Sequence, residues 1–202
     1  MLVSDTHLIL SNPRCGVGFL ARYFGAQPVE GAARHLTPRE IRKTWKALWE
    51  ERVKIVPVRD PVERFVSAVR ARWRENGQGE MPTDNDLAIP ALAEIENGHD
   101  AHDRRLWPQS SWLKAKVDII LPLHAFQPFV AVHGDTGRKA VLGNEYPARA
   151  IALAEDTRAR ILSAYAEDVA LFAKIPVWPS GGEQIHLMTG RCIACEKSNK
   201  PN

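Results

Sequence analysis

Two spacings of apolar residues alternate along this chain. Residues 7 to 11 form a short apolar run that Asn12-Pro13 and the glycines Gly16 and Gly18 end, after which Phe19, Leu20 and Phe24 recur at helical spacing. This pattern predicts strand, tight loop, helix. Thr37-Pro38-Arg39-Glu40 then reads as a helix start, with Thr37 as cap, Pro38 in the first turn and Glu40 where a capping-box carboxylate belongs. Ile41, Trp45, Leu48 and Trp49 supply the apolar stripe of that single predicted helix.

Residues 53 to 58 are β-branched and apolar, and they run into Arg59-Asp60-Pro61-Val62-Glu63, a second start signal with Asp60 as cap. A buried strand therefore hands over directly to a helix whose apolar face is Phe65, Val66, Val69 and Trp73. Residues 76 to 86 read as a surface excursion, residues 87 to 95 as a helix interrupted or started near Pro90, residues 117 to 121 as a further strand and residues 151 to 172 as a late helix. No internal repeat is present. Strands followed by helices predict a three-layer α/β domain with a mainly parallel central sheet, in which a ligand sits beyond the carboxyl ends of the strands. Both strand-to-helix turns then face the ligand side.

The chain has 202 residues, 45% of them hydrophobic and 25% charged, the proportions of a globular domain rather than of a disordered or fibrous chain. One domain over residues 1 to 178 is expected, followed by a polar, frayed or disordered tail over residues 179 to 202. The net charge of +3 is too small for a dedicated nucleic-acid binder, so an anionic partner must be met locally. No run approaches the eighteen apolar residues of a membrane span, and the N-terminus has no signal-peptide pattern. Three cysteines, Cys15, Cys192 and Cys195, make no disulfide framework, and a cytoplasmic, reducing setting is expected. The single CxxC over Cys192 and Cys195 lacks the second pair that a tetrahedral metal site needs, and no metal is expected.

The first turn, Asn12-Pro13-Arg14-Cys15-Gly16-Val17-Gly18-Phe19, places glycines and one cation where backbone N–H groups and the positive end of a helix hold a phosphate or sulfate. It lacks the Gly-Lys-Ser/Thr ending of a Walker loop, which disfavours Mg²⁺-dependent ATP or GTP chemistry and makes a P-loop kinase the weakest reading. In the second turn Arg59 ends a strand, and Ser67 lies seven residues after Asp60, about two helical turns along the same face. A guanidinium fork and a hydroxyl there suit one anionic group. An Arg59 paired to an acid and a solvated Ser67 are the plain structural alternative.

The segment Lys54-Ile55-Val56-Pro57-Val58-Arg59-Asp60-Pro61-Val62-Glu63-Arg64-Phe65-Val66-Ser67-Ala68 closely resembles the 3′-phosphate motif of the sulfotransferases that use 3′-phosphoadenosine 5′-phosphosulfate (PAPS). The first turn falls where those enzymes carry their 5′-phosphosulfate loop. His35-Leu36-Thr37, the His-and-Pro-Gln pattern from His102 to Gln109, and Tyr165-Ala166-Glu167-Asp168 with Leu171-Phe172 are similar to the carbohydrate-type branch, so the resemblance spans roughly residues 7 to 175.

The resemblance implies a P-loop-like sulfotransferase fold and transfer of a sulfuryl group from PAPS to a hydroxyl, most often of a saccharide. It implies that Arg59 and Ser67 hold the 3′-phosphate, that Arg14 stands where the family has Lys, and that Cys15, Gly16, Val17, Gly18 and Phe19 form the 5′ loop. Gly18 replaces the family's usual hydroxyl residue. The base is expected to be His35 or His102, imidazoles being suited to take a hydroxyl proton near neutrality. Arg104, Arg105 and Gln109 are candidate acceptor contacts, and Trp107 a candidate sugar-lining ring. The alternative from another class is a non-catalytic nucleotide-binding protein that keeps the grip of Arg59 and Ser67.

Overall fold

The computed structural model describes residues 1–76, 79–98, 103–123, 126 and 150–175. They form, in order, strands β1 (Leu2–Val3) and β2 (His7–Ile9), helix α1 (Val17–Phe24), strand β3 (Gln27–Pro28), helices α2 (Pro38–Thr44) and α3 (Lys46–Glu51), strand β4 (Val53–Val58) and helices α4 (Pro61–Asn76) and α5 (Asp84–Glu96). A 3-10 turn (Gln109–Trp112), strand β5 (Ile119–Pro122) and helices α6 (Glu155–Ala164) and α7 (Ala166–Phe172) follow. The boundary at residue 178, the tail beyond it, Cys192 and Cys195 lie outside the described residues. Among the described residues no helix is long and apolar enough to cross a membrane.

The strand order is β3-β1-β2-β4-β5. Strands β2, β4 and β5 are parallel, whereas β1 runs antiparallel to both β2 and β3. The sheet is therefore mixed rather than mainly parallel. Strands of two residues, Leu2–Val3 and Gln27–Pro28, are too short to show an alternating pattern.

Alternation along the parallel strands divides the core. Ile9, Ile55, Ile119 and Leu121 pack with Phe19, Leu20 and Phe126 on one face, while Leu8, Leu10, Val56, Val58 and Ile120 pack with Ile41, Trp49 and Trp112 on the other. Because both faces are covered, these strands read as continuous apolar runs. A third cluster joins α4, α5 and α6 through Phe65, Val69, Leu92 and Ile161.

Three helices differ from the sequence pattern. The helix predicted over Ile41 to Trp49 breaks at Trp45 (φ −125°, ψ 53°), which lets Ile41 and Trp49 reach the same core cluster. The late helix starts at Glu155 and breaks at Tyr165 (φ −113°, ψ 32°), whose buried hydroxyl donates to the Leu106 carbonyl at 2.5 Å. Helix α5 starts earlier than expected because Thr83 and Asp86 form a capping box, and Pro90 lies inside it.

The carboxyl end of β4 decides where the site opens. In this parallel ladder the odd residues of β4 face β2, as the hydrogen bond from Leu10 N–H to the Ile55 carbonyl shows (2.9 Å). Two residues on, Pro57 has no N–H to give to the Leu10 carbonyl. That carbonyl accepts the Asn12 N–H instead (2.8 Å), and the Asn12 side-chain amide donates to the Pro57 carbonyl (2.9 Å). The first chain thus leaves the sheet at Asn12, and the two strands part.

Candidate functional site

The two turns lie beside each other because β2 and β4 are adjacent and parallel. In the first, Arg14 (φ 62°) and Gly16 (φ 78°) both take left-handed backbone conformations, and Gly16 serves as the cap of α1 without a side-chain hydrogen bond. A Cβ at Gly16 would stand 2.7 Å from both Leu123 Cδ1 and Phe126 Cε2, so glycine is required by space as well as by φ. The N–H groups of Val17 and Gly18 belong to the first turn of α1, which has no intrahelical acceptor for them, and they carry the positive end of its dipole. Phe19 serves differently from the expectation: its N–H bonds the Gly16 carbonyl (3.0 Å) and its ring stacks on Phe126 in the core (5.3 Å).

The side chains of the second turn are held locally. The Asp60 carboxylate accepts the Glu63 N–H (3.0 Å), and the Arg59 Nε donates to the Glu63 carboxylate one turn on (3.0 Å). The hydrogen bond to the Ser67 hydroxyl comes from Arg14 Nε (3.1 Å), across 53 residues of sequence. The structure therefore joins Arg14 to Ser67 and places Arg59 against Glu63.

Cys15 is fully buried in the neck of the first turn, where burial pushes its thiol up to about 12 against the opposing charges of Arg64, Arg59 and Arg14. Its thiol is therefore protonated while the turn is closed, and three guanidinium groups act on the neck of this loop. Arg64 is wholly buried beneath, its Nη1 donating to the Arg105 carbonyl (2.8 Å) and its guanidinium 5.1 Å from the Tyr165 ring centre.

No family model matches this chain, and neither a curated protein nor a solved structure does.

His35 reaches the same edge of the sheet from the loop before α2. It is half-buried with φ 61°, and its Nδ1 lies 2.7 Å from the Ser11 carbonyl, the residue before the strands part. A carbonyl only accepts, so Nδ1 carries the proton and Nε2 the lone pair. Burial is the largest influence on the ring and lowers its pKa, holding it neutral. Arg104 Nη1 donates to the His35 carbonyl (3.1 Å) while the same guanidinium forms a two-pronged pair with Glu40 (2.6 and 2.8 Å). That hydrogen bond holds the Glu40 carboxyl down at about 2. His102 lies outside the described residues.

The candidate acceptor contacts each have structural partners. Arg104 is committed to Glu40 and His35, Arg105 pairs with Asp103 (2.8 Å) and with Glu75, and Trp107 packs near Trp112 beneath the Arg104 guanidinium. Gln109 is buried and bonds both turns: its Oε1 accepts from the Arg59 N–H (2.9 Å) and the Cys15 thiol (3.2 Å), and its Nε2 donates to the Arg59 carbonyl (2.7 Å). Sequence reasoning placed Gln109 at the acceptor and missed this role. The signal that points to it is Pro57, a missing donor at the end of a central strand, which leaves polar backbone beyond it to be satisfied from elsewhere.

Among the described residues no group of three His, Cys, Asp or Glu side chains is arranged to hold a metal ion. The donor set at the parted strands consists of guanidinium groups, a hydroxyl and helix N–H groups, beside two carboxylates of the second turn, Asp60 on the Glu63 N–H and Glu63 on Arg59. It suits a ligand bearing more than one anionic group.

Proposed function

We propose that this chain is a sulfotransferase of P-loop-like α/β architecture that moves a sulfuryl group from PAPS to a hydroxyl, with a saccharide as the acceptor class. The reading rests above all on the hydrogen bond from Arg14 to Ser67, which joins the turn resembling a 5′-phosphosulfate loop to the helix face resembling a 3′-phosphate site. When bound, PAPS supplies the sulfuryl group. Arg14 and the N–H groups of Val17 and Gly18 stabilise negative charge on the phosphosulfate side, a task suited to fixed cations and dipoles that need no reorganisation. Arg59 and Ser67 hold the 3′-phosphate, with Arg59 released from Glu63 to do so. His35 Nε2 takes the proton of the acceptor hydroxyl, and the bond from Nδ1 to the Ser11 carbonyl keeps that nitrogen as the base.

A second reading, a nucleotide-binding protein without transfer, is favoured by Gly18, which leaves α1 without a hydroxyl in its first turn. Calorimetric binding of adenosine 3′,5′-bisphosphate against ADP, on the wild type and on Arg59→Ala, tests the shared part. A preference for the 3′-phosphate that Arg59→Ala removes is the expected result; equal binding of ADP sinks both readings. Transfer over a panel of saccharides then separates them, and loss of turnover with retained binding in His35→Ala identifies the base.

A further inference from the structure

The odd residues of β4 that face β2 form a graded series. Ile55 is bonded by the backbone of β2, Pro57 by the Asn12 side chain and Arg59 by the Gln109 side chain, 50 residues away. At Arg59 the amide of Gln109 meets both backbone polar groups of one residue, as a neighbouring strand would, and its oxygen lies 3.2 Å from the Cys15 thiol of the opposite turn, whose single proton it shares with the Pro13 carbonyl (3.3 Å). We propose that Gln109 is a positioning residue whose side-chain amide replaces the missing strand between the two arginine-bearing turns and fixes their separation.

An amide is the group this position needs. Its oxygen accepts from Arg59 N–H and its nitrogen donates to Arg59 C=O, whereas a carboxylate of the same shape turns the second contact into one between two acceptors. The wedge is held from behind. The Asp168 carboxylate, itself buried, accepts the N–H groups of Gln109 (2.7 Å) and Ser110 (2.9 Å), so the reach of the side chain is set by α7 and not by either turn. For its ligand this inference rests on the proposed function; for the lock itself it does not.

The experiment uses the full chain, with Gln109→Ala, Gln109→Glu and Leu92→Ala, the last a buried position in the α4, α5 and α6 cluster that destabilises without touching the turns. One readout needs no ligand: the alkylation rate of Cys15, followed on its own peptide by mass spectrometry. The other is the Kd for adenosine 3′,5′-bisphosphate. Gln109→Ala is expected to speed Cys15 alkylation and weaken binding by about tenfold or more, the scale of a lost buried hydrogen bond, relative to Leu92→Ala at matched stability. Gln109→Glu matches Gln109→Ala at pH 8 and recovers towards the wild type at pH 5.5, when a protonated carboxyl again donates to the Arg59 carbonyl; Gln109→Ala shows no such recovery. If Gln109→Ala does not fold, the pH dependence of Gln109→Glu relative to wild type decides. Cys15 protection equal in all variants, or a Gln109→Glu ratio flat with pH, overturns the inference. A wild type that binds no adenosine 3′,5′-bisphosphate overturns the proposed function, and the alkylation readout still decides on Gln109.

Discussion

The turn after β2 and the turn after β4 each bring an arginine to the same edge of the sheet, but local bonds shape them to different degrees. The side chains of the second are held by neighbours, Asp60 capping Glu63, Arg59 pairing with Glu63 and Pro61 beginning the helix, while its Arg59 backbone is met from afar by Gln109. The first is made by distant residues. Leu123 and Phe126 crowd Gly16, Gln109 holds Cys15, and Ser67 holds Arg14. A locally encoded turn tolerates change in the rest of the molecule, whereas one shaped from outside inherits every fault of its surroundings.

This contrast breaks most sharply at Gly16. Gly16→Ala combines left-handed backbone with contacts of 2.7 Å to two core side chains, and a loss of about 3 kcal/mol is expected in denaturant unfolding. The matching change in the other turn, Asp60→Ala, removes one cap and is expected to cost about 1 kcal/mol by the same assay. An equal loss for the two sinks the distinction.

The link between the turns is measured by a double-mutant cycle on Arg14→Ala and Ser67→Ala. A coupling of about 0.5–1 kcal/mol is expected in the free protein; additive effects mean that the bond contributes nothing. Glu63→Gln should change stability by less than about 0.5 kcal/mol, since the pair it breaks is exposed. The same variant frees Arg59, so adenosine 3′,5′-bisphosphate should bind more tightly, and weaker binding places Glu63 among the groups that support the ligand.

Acidification sharpens the comparison further. The pKa of His35 is lowered in the folded state, so the unfolded chain binds more protons. The contribution of a neutral His35 is complete above the ordinary histidine value near 6.5 and is lost as the pH falls below it. Thermal unfolding between pH 7.5 and 5 should show this loss, and His35→Asn, which tolerates φ 61°, should remove part of it. His7, also held neutral by burial, accounts for a remainder that His35→Asn leaves in place.

What the sequence made legible follows the same division. The second turn was readable because its signals lie within four residues, from Arg59 to Glu63, and the capping box of Thr37 and Glu40 for the same reason. The parallel strands announced themselves by continuous apolar runs. The antiparallel edge did not, since two-residue strands carry no period, and the breaks at Trp45 and Tyr165 arise from what their rings meet across the fold. In the site, Arg14, Gly16 and Ser67 stand out by type and spacing, but spacing pairs Ser67 with Arg59, whereas its hydrogen bond comes from Arg14 and Arg59 turns to Glu63. Gln109 stands out only as a candidate acceptor contact, and its bonds to both turns do not, because nothing near it in sequence shows that a strand end 50 residues away lacks a partner.

Pro57 carries a consequence for the order in which the molecule assembles. The N-terminal turn leaves the sheet at Asn12 because a residue 45 positions later offers no N–H, so its shape is undefined until β4 has docked beside β2. The capping bonds of the turn after β4, by contrast, close within one helical turn. Contacts of long sequence separation form slowly, because chain closure must precede their reward. Both turns at this edge of the sheet wait on such contacts, Asn12 with Pro57 and Arg59 with Gln109, and are expected to be completed late during folding.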